Sequence, residues 1–153
     1  MGVSGCGKTT TGSLLSKNIG LPFIDADFYH SKENIIKMNQ GIPLTDSDRF
    51  PWLKKINNVI LKYFKNGLIL ACSALKEEYR LLLVKGLKIK PKWFFLNGNF
   101  ELIQKRLSIR KNHFMLEKLL KSQYQILEIP FYGIEIDVNG SKEDVINKIL
   151  QRI

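Results

Sequence analysis

The most constraining feature of the sequence is the glycine-rich stretch Met-Gly-Val-Ser-Gly-Cys-Gly-Lys-Thr at residues 1–9. Gly2, Gly7, Lys8 and Thr9 match the spacing Gly-x-x-x-x-Gly-Lys-Thr of a phosphate-binding loop. Glycines let the backbone turn back on itself, so that its N–H groups point at a polyphosphate, and the positive end of a following helix adds to the attraction. The stretch therefore predicts a nucleotide-binding α/β domain.

The same motif predicts individual roles within the loop. Lys8 is placed to reach the terminal phosphates of ATP, and the Thr9 hydroxyl is placed to hold Mg²⁺. The predicted ATP-binding residues of the loop are Gly2, Val3, Ser4, Gly5, Cys6, Gly7, Lys8, Thr9 and Thr10.

A buried strand normally leads into a loop of this kind. Here only Met1 precedes Gly2, so we expect this strand to be absent from the fold of the chain.

Length and composition narrow the class of protein. A chain of 153 residues is expected to form one domain, residues 1–153. Cys6 and Cys72 are too few for a disulfide framework, which favours a reduced, cytoplasmic protein. No apolar run approaches the roughly 20 residues of a membrane span. The net charge of +10 comes mostly from scattered lysines, so we expect neither a membrane nor a nucleic-acid partner.

Apolar runs alternate with helical patterns along the chain. Strands are predicted over residues 21–24, 68–72, 93–96 and 134–138. A polar turn over residues 45–49 is expected to precede a long helix that begins at Pro51. This alternation predicts a doubly wound parallel sheet with helices on both faces.

Two carboxylates follow the first apolar run. Asp25 and Asp27 would lie at the carboxyl end of a strand, where open α/β sheets bind their ligands. Phosphoryl transfer needs an oxygen ligand near Mg²⁺, here Asp25, and an acceptor that orients or deprotonates the attacking hydroxyl, here Asp27. Alternatively, Asp25 is a turn residue and Asp27 a carboxylate at a helix end.

Several cations are candidates for binding a polar, anionic acceptor: His30, Arg49, Lys76 and Arg80. Lys76 and Arg80 are one helical turn apart, which predicts that both converge on one pocket. Each of the four could instead be an ordinary surface or hydrogen-bonding residue. No Cys/His set suited to zinc accompanies His30 and His113.

Arg106 and Arg110 are four positions apart near a helix end and precede further basic residues. This density predicts a lid, over about residues 110–122, that closes on the nucleotide and supplies positive charge. The alternative is a cationic helix terminus that only stabilises its own dipole.

Six blocks of the chain together resemble gluconokinases, the small ATP-dependent gluconate kinases of the shikimate-kinase-like branch of phosphate-loop kinases. The most specific blocks are CSALKEEYR over residues 72–80 and the lid sequence over residues 110–130. The other blocks are MGVSGCGKT (1–9), FIDADFYH (23–30), NIIKMNQG (34–41) and PLTDSDRFPW (43–52).

The resemblance implies transfer of the ATP γ-phosphate to the 6-hydroxyl of D-gluconate, with Mg²⁺, to give 6-phosphogluconate for the pentose phosphate route. It also implies a homodimer, and a central strand between those that end near Cys72 and Leu96. The residues it implies for catalysis are Lys8, Asp27 and Arg110. ATP would further contact Arg106 and Arg110, and gluconate would contact Asp27, His30, Arg49, Lys76, Arg80 and His113. Thr9 and Asp25 would hold the metal.

Other functions remain open at the level of the sequence. The chain could be a truncated, inactive kinase remnant, because the strand before the phosphate loop is absent. It could be a nucleotide-dependent regulatory module, although residues for an acceptor site accompany the loop. A kinase for shikimate or another small polyol acid is the remaining alternative.

Overall fold

In the computed structural model, which describes residues 1–109 and 117–153, the chain alternates helices with short parallel strands. The helices are α1 (Lys8–Ile19), α2 (Lys32–Asn39), α3 (Asp46–Tyr63), α4 (Glu77–Val84), α5 (Phe100–Ile109), α6 (Glu117–Gln125) and α7 (Lys142–Leu150). The strands are β1 (Phe23–Asp25), β2 (Ile69–Ala71), β3 (Phe94–Asn97) and β4 (Ile134–Asp137), and a 3-10 turn covers Ala26–Tyr29.

Most predicted elements are present with small shifts at their ends, but the predicted start of the long helix is wrong. This helix, α3, begins at Asp46 and not at Pro51. Thr45 accepts a hydrogen bond from the Asp48 amide, and the Asp48 side chain bonds back to the Thr45 amide, which completes a capping box. Residues 45–49 therefore begin the helix, and Pro51 lies inside it.

The strands pair in parallel, as the alternation of elements predicts. Phe23–Asp25 of β1 align with Ile69–Ala71 of β2, and Phe94–Asn97 of β3 align with Ile134–Asp137 of β4. Within the described ranges these strands form two two-stranded sheets. Helix α1 packs against α7 and against β1 and β2, while α3 packs against α4. The α/β fold class is confirmed.

The first two residues bridge the two sheets. The Met1 α-amino group donates to the Phe94 carbonyl at 2.6 Å, and the Leu96 amide donates to the Met1 carbonyl at 2.9 Å. This is the bonding of one residue of a parallel ladder beside β3. On the other side, the Gly2 amide donates to the Ser73 carbonyl, just beyond β2, at 3.2 Å. Met1 and Gly2 thus occupy the end of a strand position between β2 and β3.

A cavity of about 340 Å³ continues this strand position toward the amino ends of β2 and β3, and we call it the strand groove. Its lining includes Leu70 of β2 and Phe94 of β3. Apolar side chains from helices close it, among them Leu15 of α1, Ile60 of α3 and Leu83 of α4. The groove lies where the resemblance to gluconokinases places a central strand, between the strands that end near Cys72 and Leu96.

One large cluster of buried apolar side chains connects both sheets with the helices other than α2, and Leu53, Ile56, Leu83, Ile103 and Leu120 are fully buried in it. A second, small cluster joins Met38 of α2 to Leu44 and Leu119. Among the residues that the structure describes, no helix is both long enough and apolar enough to cross a membrane.

Candidate active site

The phosphate-binding loop has the backbone geometry that its glycines predict. Gly2, Gly5 and Gly7 have positive φ angles of 141°, 85° and 101°. A Cβ atom on Gly2 would lie 2.7 Å from the Leu96 carbonyl oxygen, a separation that a side chain cannot occupy. Gly7 is the N-cap of α1 and makes no side-chain cap, so the first N–H groups of α1 lack a side-chain partner from the N-cap and suit an anion.

Two contacts hold the loop in this structure. The Lys8 ammonium donates to the Val3 carbonyl at 2.9 Å, which places it over the loop. The Ser4 amide donates to the side-chain oxygen of Gln123, on α6, at 2.7 Å. The segment just after residues 110–116 is therefore already in contact with the phosphate-binding loop.

Thr9 and Asp25 come together as the sequence predicts for a metal site. The Thr9 hydroxyl donates to one Asp25 carboxylate oxygen at 2.6 Å, and the other Asp25 oxygen accepts from the Asp27 amide at 3.0 Å. Asp25 is buried at the end of β1. Hydroxyl and carboxylate oxygens are the ligands that Mg²⁺ prefers, and Mg²⁺ bound to nucleotides takes few ligands from the protein. Among the residues that the structure describes, no group of three or more His, Cys, Asp or Glu side chains could hold a metal ion.

A polar pocket lies beside the loop and brings together residues from distant parts of the sequence. Lys8, Asp27, His30 and Arg49 all line it, as expected for a phosphate donor and an anionic acceptor that meet. Apolar walls come from residues such as Trp52 and Leu75, and polar groups from Ser73, Ser122 and Gln123. We call this the acceptor pocket.

The His30 side chain is held as a flat wall of the acceptor pocket. Its ring stacks on Trp52 with a centroid separation of 4.3 Å and an interplanar angle of 13°. The Trp52 indole N–H donates to the Ala26 carbonyl at 2.9 Å, which fixes the stack to the end of β1. Burial lowers the pKa of His30, and the nearby Asp27 only partly opposes this effect. The lowered pKa favours the neutral form of His30 at pH 7.

The prediction that Lys76 and Arg80 converge on one pocket is wrong. Lys76 is the N-cap of α4 and has an extended backbone, with φ −104° and ψ 155°, so its side chain does not follow the helical spacing to Arg80. Its ammonium contacts the Asp46 carboxylate at 2.8 Å. Arg80 is 2% exposed and donates to the Ala74 and Leu75 carbonyls at 2.8 and 3.4 Å.

Arg80 supports the pocket without lining it. Ala74 has a positive φ of 46°, a conformation that is costly for a residue with a side chain. The Arg80 guanidinium, which also donates to Glu77 at 2.9 Å and Tyr132 at 3.1 Å, holds the carbonyl of this residue in place. Leu75, the next residue, lines the acceptor pocket.

The predicted lid residues are only partly described. The Arg106 guanidinium donates to the Val138 carbonyl at 2.7 Å, at the end of β4, and Arg106 does not line the acceptor pocket. Its role toward ATP stays a prediction. Arg110 and His113 lie outside the described residues.

Sequence reasoning missed three residues that hold the site. Asn34, which is buried, donates to the Asp48 carbonyl at 3.0 Å and contacts the His30 ring at 3.5 Å. Asp46 binds Lys76 and Tyr79, and Gln123 binds the phosphate-binding loop. The capping box at Thr45 was the available signal for Asp46, because it places Asp46 and Arg49 on the first turn of one helix.

A family profile and similar known proteins agree on the family to which this chain belongs. A profile of the shikimate kinase family matches residues 4–153. A probable gluconokinase from Rattus norvegicus is 46% identical over 161 residues, covering 90% of this chain and 87% of the relative. The thermosensitive gluconokinase of Escherichia coli is 40% identical over 159 residues, covering 100% of this chain and 84% of the relative.

Solved structures agree with the sequence comparison. The crystal structure of a gluconokinase from Sinorhizobium meliloti superimposes with a TM-score of 0.89 at 36% identity, covering 99% of this chain and 87% of that one. Full-length similarity at this level, together with the phosphate-binding loop and the acceptor pocket, places this chain in the gluconokinase family, within the shikimate-kinase-like kinases.

Proposed function

We propose that this protein transfers the γ-phosphoryl group of ATP to the 6-hydroxyl of D-gluconate, giving 6-phosphogluconate and ADP. The observation that carries the proposal is that Lys8, Asp27 and Arg49 line one pocket. A group for the donor phosphates, a group for the attacking hydroxyl and a group for a carboxylate therefore lie within reach of one small substrate. The gluconokinase relatives support gluconate over other acids.

Each side chain then has a defined task in the reaction. The 6-hydroxyl oxygen forms a bond to the γ-phosphorus while the bond from that phosphorus to the β–γ bridging oxygen breaks, and ADP leaves with the electron pair. The hydroxyl proton passes to Asp27 or is oriented by it, and Lys8 balances charge on the phosphates. Arg49 is suited to the gluconate carboxylate because a guanidinium binds carboxylates through two parallel N–H groups.

Mg²⁺ fits the pair formed by Thr9 and Asp25. The Thr9 hydroxyl would hold the ion directly, and the Asp25 carboxylate would hold it directly or through water. The ion would balance negative charge on the β- and γ-phosphates when bound. The loop amides and Lys8 orient the donor, and the apolar walls of the acceptor pocket exclude water from the transfer.

Five further features are part of the proposal. A lid over about residues 110–122, with Arg110 and His113, would close over the bound substrates. The whole chain would form one domain, and two copies would form a homodimer. The product, 6-phosphogluconate, would enter the pentose phosphate route. A cytoplasmic location is supported by Cys6 and Cys72, which are both free thiols.

The direct test measures ADP release with ATP, Mg²⁺ and gluconate. We expect release that requires both gluconate and Mg²⁺ and that falls at least about 10³-fold in Lys8→Ala, because this variant removes the positive charge at the transferred phosphate. Lys17→Ala removes a lysine from the far end of α1 and serves as the matched control. Turnover with shikimate and none with gluconate would overturn the substrate assignment.

A further inference from the structure

A carboxylate outside the acceptor pocket organises two of the predicted substrate cations. Asp46, the first residue of α3, accepts hydrogen bonds from the Lys76 ammonium at 2.9 and 2.8 Å and a further bond from the Tyr79 hydroxyl. The capping box of Thr45 and Asp48 fixes the first turn of α3. Asp46 thus joins α3 to the start of α4.

Tyr79 continues this chain of contacts to the acceptor pocket. Tyr79 is 1% exposed, and its hydroxyl accepts a hydrogen bond from the Arg49 guanidinium at 3.3 Å. The guanidinium carbon also lies 5.7 Å from the centroid of the Tyr79 ring. A phenol has a single proton, so a hydroxyl that donates to Asp46 presents its lone pairs to Arg49. Asp46 therefore sets the direction in which Tyr79 can hold Arg49.

The same carboxylate keeps Lys76 away from the pocket. The Lys76 ammonium lies between Asp46 and Glu78, at 2.8 and 3.6 Å, and 5.4 Å from the centroid of the Tyr79 ring. Lys76 does not line the acceptor pocket, whereas Arg49 does. The pocket therefore receives one acceptor-binding cation from this cluster, and the second cation is neutralised beside it.

We propose that Asp46 is a positioning residue for the acceptor: it orients Arg49 through the Tyr79 hydroxyl and holds Lys76 outside the acceptor pocket. The inference rests on the proposed function, because it takes Arg49 as the residue that binds the acceptor carboxylate. It adds a determinant of acceptor affinity that makes no contact with the acceptor itself.

The experiment compares Asp46→Asn with Glu78→Gln in steady-state kinetics with gluconate and ATP. Both substitutions remove a carboxylate beside Lys76, but only Asp46 also contacts Tyr79. We expect Asp46→Asn to raise the KM for gluconate about tenfold, the scale of one hydrogen bond to a charged group, with kcat and the KM for ATP within about twofold of the parent. Glu78→Gln should leave all three values within about twofold.

Three further variants test the contacts between Asp46, Tyr79 and Arg49. Tyr79→Phe removes only the hydroxyl and should raise the KM for gluconate by a similar factor. The double variant with Asp46→Asn should show less than the product of the two effects, because both substitutions break the same chain of contacts. Asp46→Glu, which keeps a carboxylate, should restore part of the affinity.

The outcomes separate this inference from the proposed function. A parent protein that does not phosphorylate gluconate overturns both. An active parent whose KM for gluconate is unchanged in Asp46→Asn overturns the positioning role alone. Equal losses in the KM for ATP and in kcat, or equal effects of Glu78→Gln, would show general damage to the fold and would also overturn it.

Discussion

The space between β2 and β3 has two ends, one lined by polar and charged groups and the other mainly by apolar side chains. At the carboxyl ends of the strands lies a polar site, in which the Lys8 ammonium, the Asp25 carboxylate and the Asp27 amide make hydrogen bonds of 2.6 to 3.0 Å. The Asp27 side chain lines the acceptor pocket beside them. At the amino ends lies the strand groove, a cavity of about 340 Å³ lined mainly by apolar side chains. Met1 and Gly2 separate the two regions and contact the walls of both.

The contrast shows that the polar groups of the acceptor pocket and the junction of the two sheets are held by different contacts. The polar groups of the acceptor pocket come from the phosphate-binding loop and α1, the turn after β1, α3, the segment after β2, and α6. The two sheets, in contrast, are joined at the groove by backbone contacts of Met1 and Gly2. We therefore expect substitutions of the polar side chains in the pocket to change turnover with little effect on stability, and changes in the groove to do the opposite.

The largest expected effect is on turnover and tests the polar end. Asp27→Asn should lower kcat about 10²–10⁴-fold, the range for loss of a general base or of a group that orients the nucleophile. Its midpoint of thermal unfolding should stay within about 2 °C of the parent, because the side chain is not part of the buried core. Steady-state kinetics and calorimetry on one preparation measure both quantities.

Asp137→Asn is the matched control for Asp27→Asn. Asp137 also ends a parallel strand, β4, but caps the Asn139 amide at 2.8 Å and does not line the acceptor pocket. Its kcat should remain within about twofold of the parent. A large loss of stability in Asp27→Asn would contradict the separation of the two regions.

The positions of the phosphate-binding loop, Asp25 and Asp27 can be predicted because they depend on neighbouring residues in the sequence. The motif spacing fixes the loop, and the carboxyl end of β1 fixes Asp25 and Asp27 beside it. A strand before the loop is expected from the same motif, and its central place in the sheet comes from the resemblance to gluconokinases; the groove itself is seen only in the structure. The positions of the loop and the two carboxylates require no knowledge of how distant side chains pack.

The errors arise where several elements compete for one side chain. The spacing of Lys76 and Arg80 predicts a shared helix face. In the structure Lys76 is the N-cap of α4 and forms an ion pair with Asp46. Arg80 instead donates to the carbonyl of Ala74, whose φ is positive. Asp46 and Ala74 both lie outside α4, so a helical pattern over residues 76–84 does not show these contacts. Tertiary contacts of this kind cannot be obtained from periodicity alone.

The second prediction concerns the apolar end. Extending the chain before Met1 by five apolar residues, Val-Val-Ile-Val-Val, should fill the strand groove, because parallel strands buried on both faces are rich in such residues. A net gain of about 2–3 kcal/mol, after the entropy of ordering the segment, should raise the midpoint of thermal unfolding by about 5–10 °C. Calorimetry of the extended and parent chains measures the difference.

A five-residue Gly-Ser-Gly-Ser-Gly extension is the control, since it has the same length but no apolar side chains to bury. It should leave the midpoint within about 2 °C of the parent. If both extensions stabilise the protein equally, the groove does not select apolar side chains. If the apolar extension raises kcat as strongly as it raises stability, the two regions are coupled and the contrast between them fails.

The smallest expected effect is a pH dependence at the boundary between the two regions. Burial lowers the pKa of the Met1 α-amino group from 8.0 to about 6. The unfolded chain therefore binds this proton more tightly than the folded chain, and the free energy of unfolding rises as the pH rises between these two values. The stability contributed by the neutral amine is present above about pH 8, is lost as the pH falls toward 6, and changes little below that.

Urea unfolding at pH 6 and pH 8 measures this difference, which should be about 2 kcal/mol for a shift of this size. Burial also lowers the pKa of His30, which adds a contribution of the same sign, so the comparison needs a chain that differs only at the amine. N-terminal acetylation removes the charge but keeps an N–H that can donate to the Phe94 carbonyl. The acetylated chain should lose the Met1 share of the pH dependence and keep the share from His30. If the parent and acetylated chains respond equally to pH, the amine is hydrated at the mouth of the groove, and Met1 belongs with the polar end.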